Sequence, residues 1–226
     1  MRLTGRDVRL VRDVALSGYL TRAQSVKLGY FGSTTRANAR LLTLVRAGFL
    51  VRHEAPYLRA HLYRAGPCAG DVLGEKVARA VASASRAPSF VRHALSVTEV
   101  RIALAGRGFM WRFEPQVTVA FRHAGRDLEV RPDGAGLAPG RVVLVEADMG
   151  NASLPRVAKK LDAYRAFAES GALRRSFGEA KAEILIATVG ARRAASLAGI
   201  ARPLTAIRAR VGRFEDLGVV VPGYWA

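Results

Sequence analysis

The chain has 226 residues, half of them hydrophobic and 24% charged, a balance that excludes disorder and leaves room for one large core or two small ones. Its 36 Lys and Arg against 18 Asp and Glu give a formal charge of +18, which points to a polyanionic partner. Lone Cys68, four scattered histidines and no apolar run near ~18 residues argue against a disulfide framework, a zinc cluster, a membrane span or a signal peptide, so a cytoplasmic protein is expected.

Charge is uneven along the chain. Residues 1–66 hold 12 basic and 3 acidic residues, a net +9. The remaining 160 residues hold 24 basic and 15 acidic, also +9, so charge density is more than doubled at the N-terminal end. Thirty-one of the 36 basic residues are Arg. GC-rich codon usage accounts for that ratio but not for the net charge.

The first 66 residues read as three short helices and a hairpin. Thr4 with Asp7 has the form of a capping box, and Val8, Val11, Val14 and Ala15 mark a helical stripe that Gly18 ends. Thr21 caps a second helix over 22–28. After the turn at Gly29–Gly32, Ser33 caps a third to about Ala47, with Ala37, Leu41, Leu44 and Val45 inward. Residues 49–52 and 62–63 read as strands, with Pro56 at the tip between them. Together they predict a winged helix-turn-helix. Its third helix presents Thr34, Thr35, Arg36, Asn38 and Arg40 to double-stranded DNA, and its wing offers Arg52, His53 and Arg59 to the backbone. The alternative is a small helical packing domain with a solvated Arg-rich face.

Gly66–Gly70 is the candidate linker, so the expected domains are 1–66 and 71–226. Helices are predicted over 72–85 and 89–105, then strands over 110–121, 128–131 and 141–147. A helix continues from its cap Ser153 to Ser170, then a strand over 182–189, a helix over 192–200 and an edge strand over 217–221. The predicted fold class is α+β, a mixed sheet with helices on its faces.

The acidic residues of this second half form a pattern. Asp133 comes after a strand in Arg131-Pro132-Asp133-Gly134, and Glu146 and Asp148 are i and i+2 at a strand end, which puts both on one face. Three such carboxylates beside Lys160 suit Mg²⁺ or Mn²⁺ acting on a phosphodiester. Glu99 interrupts an apolar helix stripe, where an unpaired carboxylate is costly. Lys160 and Tyr164 share the buried face of the 153–170 helix, whereas Lys159 turns about 100° away. Each acid also has a plainer reading. Asp133 suits a turn before Gly134, Glu146 and Asp148 suit salt bridges to Arg131, Lys159 or Lys160, and Glu99 suits pairing with Arg101 or Arg107.

The order His93-Ala94-Leu95, Pro132-Asp133, Glu146-Ala147-Asp148 and Lys160-Leu161-Asp162-Ala163-Tyr164, behind an N-terminal winged helix, resembles the replication-relaxation family of bacterial plasmids and mobile elements. The resemblance implies a PD-(D/E)xK, restriction-endonuclease-like second domain of αβββαβ form. It implies Asp133, Glu146, Lys160 and Glu99 as catalytic residues, and Asp133, Glu146 and Asp148 around the metal. The chain departs from the nuclease pattern at Asp148, which stands where a Lys is usual. Two functions are expected from this resemblance. One is a DNA-binding protein of replication or mobilisation with metal-dependent nicking, in a homodimer or alone. The other is a non-enzymatic accessory factor or transcriptional regulator on an inactive nuclease fold. An RNA-binding regulator is a weaker third, since no aromatic cluster lies on a strand.

Overall fold

The computed structural model describes residues 2–55, 58, 60–74 and 87–219. The expected hairpin-tip Pro56, the wing residue Arg59, most of the 72–85 helix and the end of the 217–221 strand lie outside them. The fold is α+β, with helices and several sheets, and the chain divides at Ile102/Ala103 into two units.

In the first unit, α1 (Gly5–Ser17) begins at a reciprocal cap. The Thr4 hydroxyl accepts from the Asp7 N–H, and the Asp7 carboxylate accepts from the Thr4 N–H at 2.8 Å. Its buried stripe is Leu10, Val11, Val14 and Ala15, with Val8 at the margin. Strand β1 (Leu20–Thr21) runs into α2 (Arg22–Lys27), again opened by a capping box, Thr21 with Gln24. Ser33 caps α3 (Thr34–Arg46), whose Ala37, Leu41 and Leu44 are buried. Strands β2 (Leu50–His53) and β3 (Leu62–Ala65) complete an antiparallel sheet of order β1-β3-β2.

The expected linker is not one. Pro67–Ala69 forms a 3₁₀ turn leading into α4 (Gly70–Leu73), and Ala69 is buried in the same core as α1 and α3. Gly66 is required there, because a Cβ would lie 2.2 Å from the Gly48 carbonyl oxygen. Helix α5 (Pro88–Ala105) then places Val91, Ala94 and Leu95 against Tyr19, Ala55, Leu58 and Leu62. This apolar contact is why nearly all of α5 groups with residues 1–74 rather than with the strands C-terminal to it.

The second unit is a five-stranded sheet of order β10-β9-β8-β7-β4 and a separate two-stranded ribbon, β5-β6. The predicted 110–121 strand is broken in two. Glu114-Pro115 opens a short helix α6 (Glu114–Val117) between β4 (Met110–Phe113) and β5 (Val119–His123), since Pro lacks a ladder donor but suits a first helical turn. Among the described residues, strand β6 (Arg126–Val130) pairs only with β5. The Gly-rich β7 (Gly134–Ala138) has no counterpart among the predicted strands, yet it lies between β4 and β8 (Arg141–Asp148). Helix α7 (Leu154–Glu169) and α8 (Ala172–Phe177) lead to β9 (Lys181–Thr188), parallel to β8. Helix α9 (Ala191–Ala201) then leads to β10 (Arg208–Arg213), parallel to β9. The outer edge is therefore β10, while Leu217, the first residue of the expected 217–221 strand, closes a 3₁₀ turn, Glu215–Leu217. Leu144, Ile184 and Ile186 pack with Leu161, Tyr164 and Phe167 of α7 and Leu197 of α9.

Candidate functional site

Strand β8 is apolar for most of its length, with Val142 to Val145 buried, and ends in two acids on one face. Asp133 is tied to it just before β7. Its N–H donates to the Val145 carbonyl at 2.9 Å, and its Oδ2 accepts from the Ala147 N–H at 2.7 Å.

Glu146 faces α7, with its side chain 12% exposed. Lys160 Nζ donates to Oε2 and the Tyr164 hydroxyl donates to Oε1, so both oxygens are engaged. Burial and the Asp133 charge push the Glu146 carboxyl up to about 7, against the opposing pull of Lys160 and Tyr164. Tyr164 is fully buried, and burial beside Glu146 raises its hydroxyl well above the usual tyrosine range. It is a core residue with a hydrogen-bonding tip.

Asp148, on the same face, is held by α9 and β9. Arg193 forks onto it through Nε and Nη2, each at 2.8 Å, and Thr188 Oγ1 donates at 2.7 Å. Burial alone would raise its pKa, but these bonds bring it below the ordinary carboxylate value. Arg193 also donates to the Ala152 carbonyl at 2.6 Å, which ties the start of α9 to the loop before α7.

The expected shell of three carboxylates is therefore not assembled. Among the described residues, no group of three His, Cys, Asp or Glu is placed to hold a metal ion. Glu146 has the Lys160 ammonium and Asp148 has the Arg193 guanidinium, so each acid is already met by a cation of the chain. This donor set does not fit the Mg²⁺ or Mn²⁺ centre that the sequence suggests.

Glu99 belongs to a different neighbourhood, in the first unit. It is 4% exposed, and its oxygens accept from Gln24 Nε2 and Lys27 Nζ, both at 3.1 Å. Gln24 Nε2 also reaches the Leu95 carbonyl at 3.0 Å. The carboxylate on the α5 stripe is thus satisfied by α2, not by the anticipated Arg101 or Arg107. Arg101 pairs with Asp13, which also accepts from the Tyr30 hydroxyl, and Arg107 donates to the Leu217 carbonyl at 2.8 Å.

The polar face of α3 divides. Thr34, Thr35, Arg36 and Asn38 are exposed, with Arg22 donating to Asn38 Oδ1 at 2.8 Å. Arg40 turns back to α1, where Nε reaches Asp7 Oδ1 at 2.9 Å and Nη2 reaches Oδ2. Burial of Asp7 acts to raise its pKa, but the bonds from Arg40 and Thr4 outweigh it and hold the group at about 2. Removing Arg40 would strand that buried charge, at a cost of about 3 kcal/mol. Arg40 is a structural cation. Arg52 is exposed on β2, 3.3 Å from Glu54, and the His53 ring lies 5.9 Å from that of Tyr19.

Four partners of these acids, Arg193, Thr188, Lys27 and Gln24, are not anticipated from the sequence. The Thr21-x-x-Gln24 cap is legible as a local signal, but all four side chains are brought to their acids only by tertiary packing.

No curated protein matches the chain. Among solved structures, protein VC1899 from Vibrio cholerae aligns over 96% of this chain at 12% identity and a TM-score of 0.35, a likeness too distant to carry an argument. The chain spans 55% of that protein's length. A family model described as replication-relaxation matches residues 11–180, from within α1 to the residue before β9. With three quarters of its length matched, from one unit into the other, the chain belongs to the replication-relaxation family.

Proposed function

We propose that this protein binds double-stranded DNA in plasmid or mobile-element replication, using α2 and α3 as a helix-turn-helix and the β2-β3 hairpin as its wing. The observation that carries this reading is the exposed row Thr34, Thr35, Arg36 and Asn38 on a helix whose opposite face buries Ala37, Leu41 and Leu44. Small polar side chains and one Arg reach base edges and phosphates without a bulky obstruction. The +9 charge of residues 1–66 supplies the sequence-independent attraction. Family membership supports the same assignment. No helix among the described residues is long and apolar enough to cross a membrane.

In this reading the acidic site is a clamp that fastens α7 and α9 to β8, and the protein acts without cleaving DNA. The observation favouring it over a nickase is the pairing of Glu146 with Lys160 and of Asp148 with Arg193. In a two-part experiment, fluorescence anisotropy follows a labelled duplex, and supercoiled plasmid is incubated with Mg²⁺, Mn²⁺ or EDTA. We expect duplex binding whose salt slope falls by about 0.9 in Arg36→Ala, with plasmid left supercoiled under every condition. An unchanged slope removes α3 from the interface. Metal-dependent nicked product, lost in Glu146→Ala, would restore the nuclease reading.

A further inference from the structure

The carboxyl ends of the parallel strands β8 and β9 carry cations that the acidic clamp does not use. The loops that leave the two strands adjoin, since a Cβ on Gly150 would meet Val189 at 3.5 Å. Each loop opens a helix, α7 at Leu154 and α9 at Ala191, and the Arg193–Ala152 bond draws the two starts together. Between Met149 and Leu161 there is no acid, but there are Arg156, Lys159 and Lys160. Arg156 and Lys159 are i and i+3, neighbours on the surface of α7, and both are exposed. Arg192 is exposed in the first turn of α9. Lys160 and Arg193 are spent on Glu146 and Asp148, whereas Arg156, Lys159 and Arg192 have no ion pair among the described residues.

The consequence is an inversion of what the sequence suggests. A place that reads as an acidic, metal-seeking cluster has its two strand-end carboxylates paired from within, and three exposed cations lie on the same two helices that supply Lys160 and Arg193. A surface with that balance repels a divalent cation and attracts a polyanion. The spacing suits successive phosphates, because cations one helical turn apart lie about 5–6 Å from each other at Cβ and reach further at their tips. The first turns of both helices add backbone N–H groups of the same sign, a contribution that assists the side chains.

We propose that Arg156, Lys159 and Arg192 form a second phosphate-contacting surface for duplex DNA, carried by the second unit. This rests on the duplex-binding reading, and it adds a sequence-independent contact to the one made by α3.

The test uses the full chain and the same labelled duplex, titrated over a range of salt concentrations. Three proteins are compared: wild type, Arg36→Ala, and the triple variant Arg156→Ala/Lys159→Ala/Arg192→Ala. All three substituted side chains are exposed, so the triple variant should melt as wild type does. Its log–log salt slope should be shallower by about 0.9 for each phosphate that is no longer neutralised, up to about 2.7, with weaker binding at low salt. A slope equal to that of wild type, while Arg36→Ala lowers it, would overturn this surface and leave the α3 reading standing. The reverse pattern would support this surface and remove α3. Absence of duplex binding by wild type at any salt would sink both. Preference for a single strand of the same sequence, with the same slope loss, would overturn the assignment to duplex.

Discussion

Glu146 is ionised at a cost that its neighbours only partly offset. Its folded pKa of about 7 lies above the ordinary carboxylate value of 4.5, so around neutral pH the folded state holds a proton that the unfolded chain has released. The stability linked to this group is fully present below about 4.5 and is lost as pH rises through about 7. We expect Glu146→Gln to destabilise the protein most at pH 5, where one of its hydrogen bonds is lost without compensation. The gap to wild type should narrow by pH 8.5, as read by thermal melts at both values. A gap that widens with pH would mean that the Lys160 ion pair dominates over burial. Residue by residue, Lys160 is one of three cations that the sequence offers to Glu146, with Arg131 and Lys159, and strand and helix periodicity put Glu146 and Lys160 on faces that can meet. The Arg193 fork is not legible there. Its helix can be predicted, but which acid it meets depends on the lateral order of β8 and β9.

Elements with local signals are legible in the sequence. The Thr4, Thr21 and Ser33 caps, and the stop at Gly48, are encoded within a few residues of where they act. Strand β7 carries no such signal, since Gly134-Ala135-Gly136 lacks the β-branched and aromatic residues that mark a strand. Its glycines are there for the neighbours. A Cβ on Gly134 would lie 2.1 Å from the Trp111 ring, and one on Gly136 would meet Leu104 at 3.0 Å. We therefore expect Gly134→Ala to cost about 2–3 kcal/mol in denaturant unfolding, because overpacking forces the indole or the β4-β7 pairing to shift. A loss below about 0.5 kcal/mol would show that Trp111 moves freely. Strand β10 does leave a trace, in the alternation Arg208-Ala209-Arg210-Val211, but its Arg content obscures the period of two.

At the scale of the molecule, the boundary lies at Ile102/Ala103 and not at the anticipated 66–71. Gly66 and Pro67 have the composition of a linker, whereas in the fold they form a close crossing over Gly48. Tertiary burial by α5 then extends the first unit. A fragment ending at residue 66 would expose Tyr19 and Leu62, both wholly buried against α5 in the intact chain, and would leave Lys27 and Gln24 without Glu99. We expect that fragment to show no cooperative melt, and a fragment ending at Ala105 to melt cooperatively. Equal cooperativity in both would show α5 to be dispensable to the N-terminal fold.

The Arg193 fork joins more than two residues. Arg193 lies past residue 180, where the family match ends, and it is the side chain that occupies Asp148. Loss of this one arginine would leave the largely buried Asp148 carboxylate at the end of β8 without its cationic partner and would free the start of α9 from the loop before α7. The fork is thus one contact on which three segments depend: the end of β8, the loop before α7 and the start of α9.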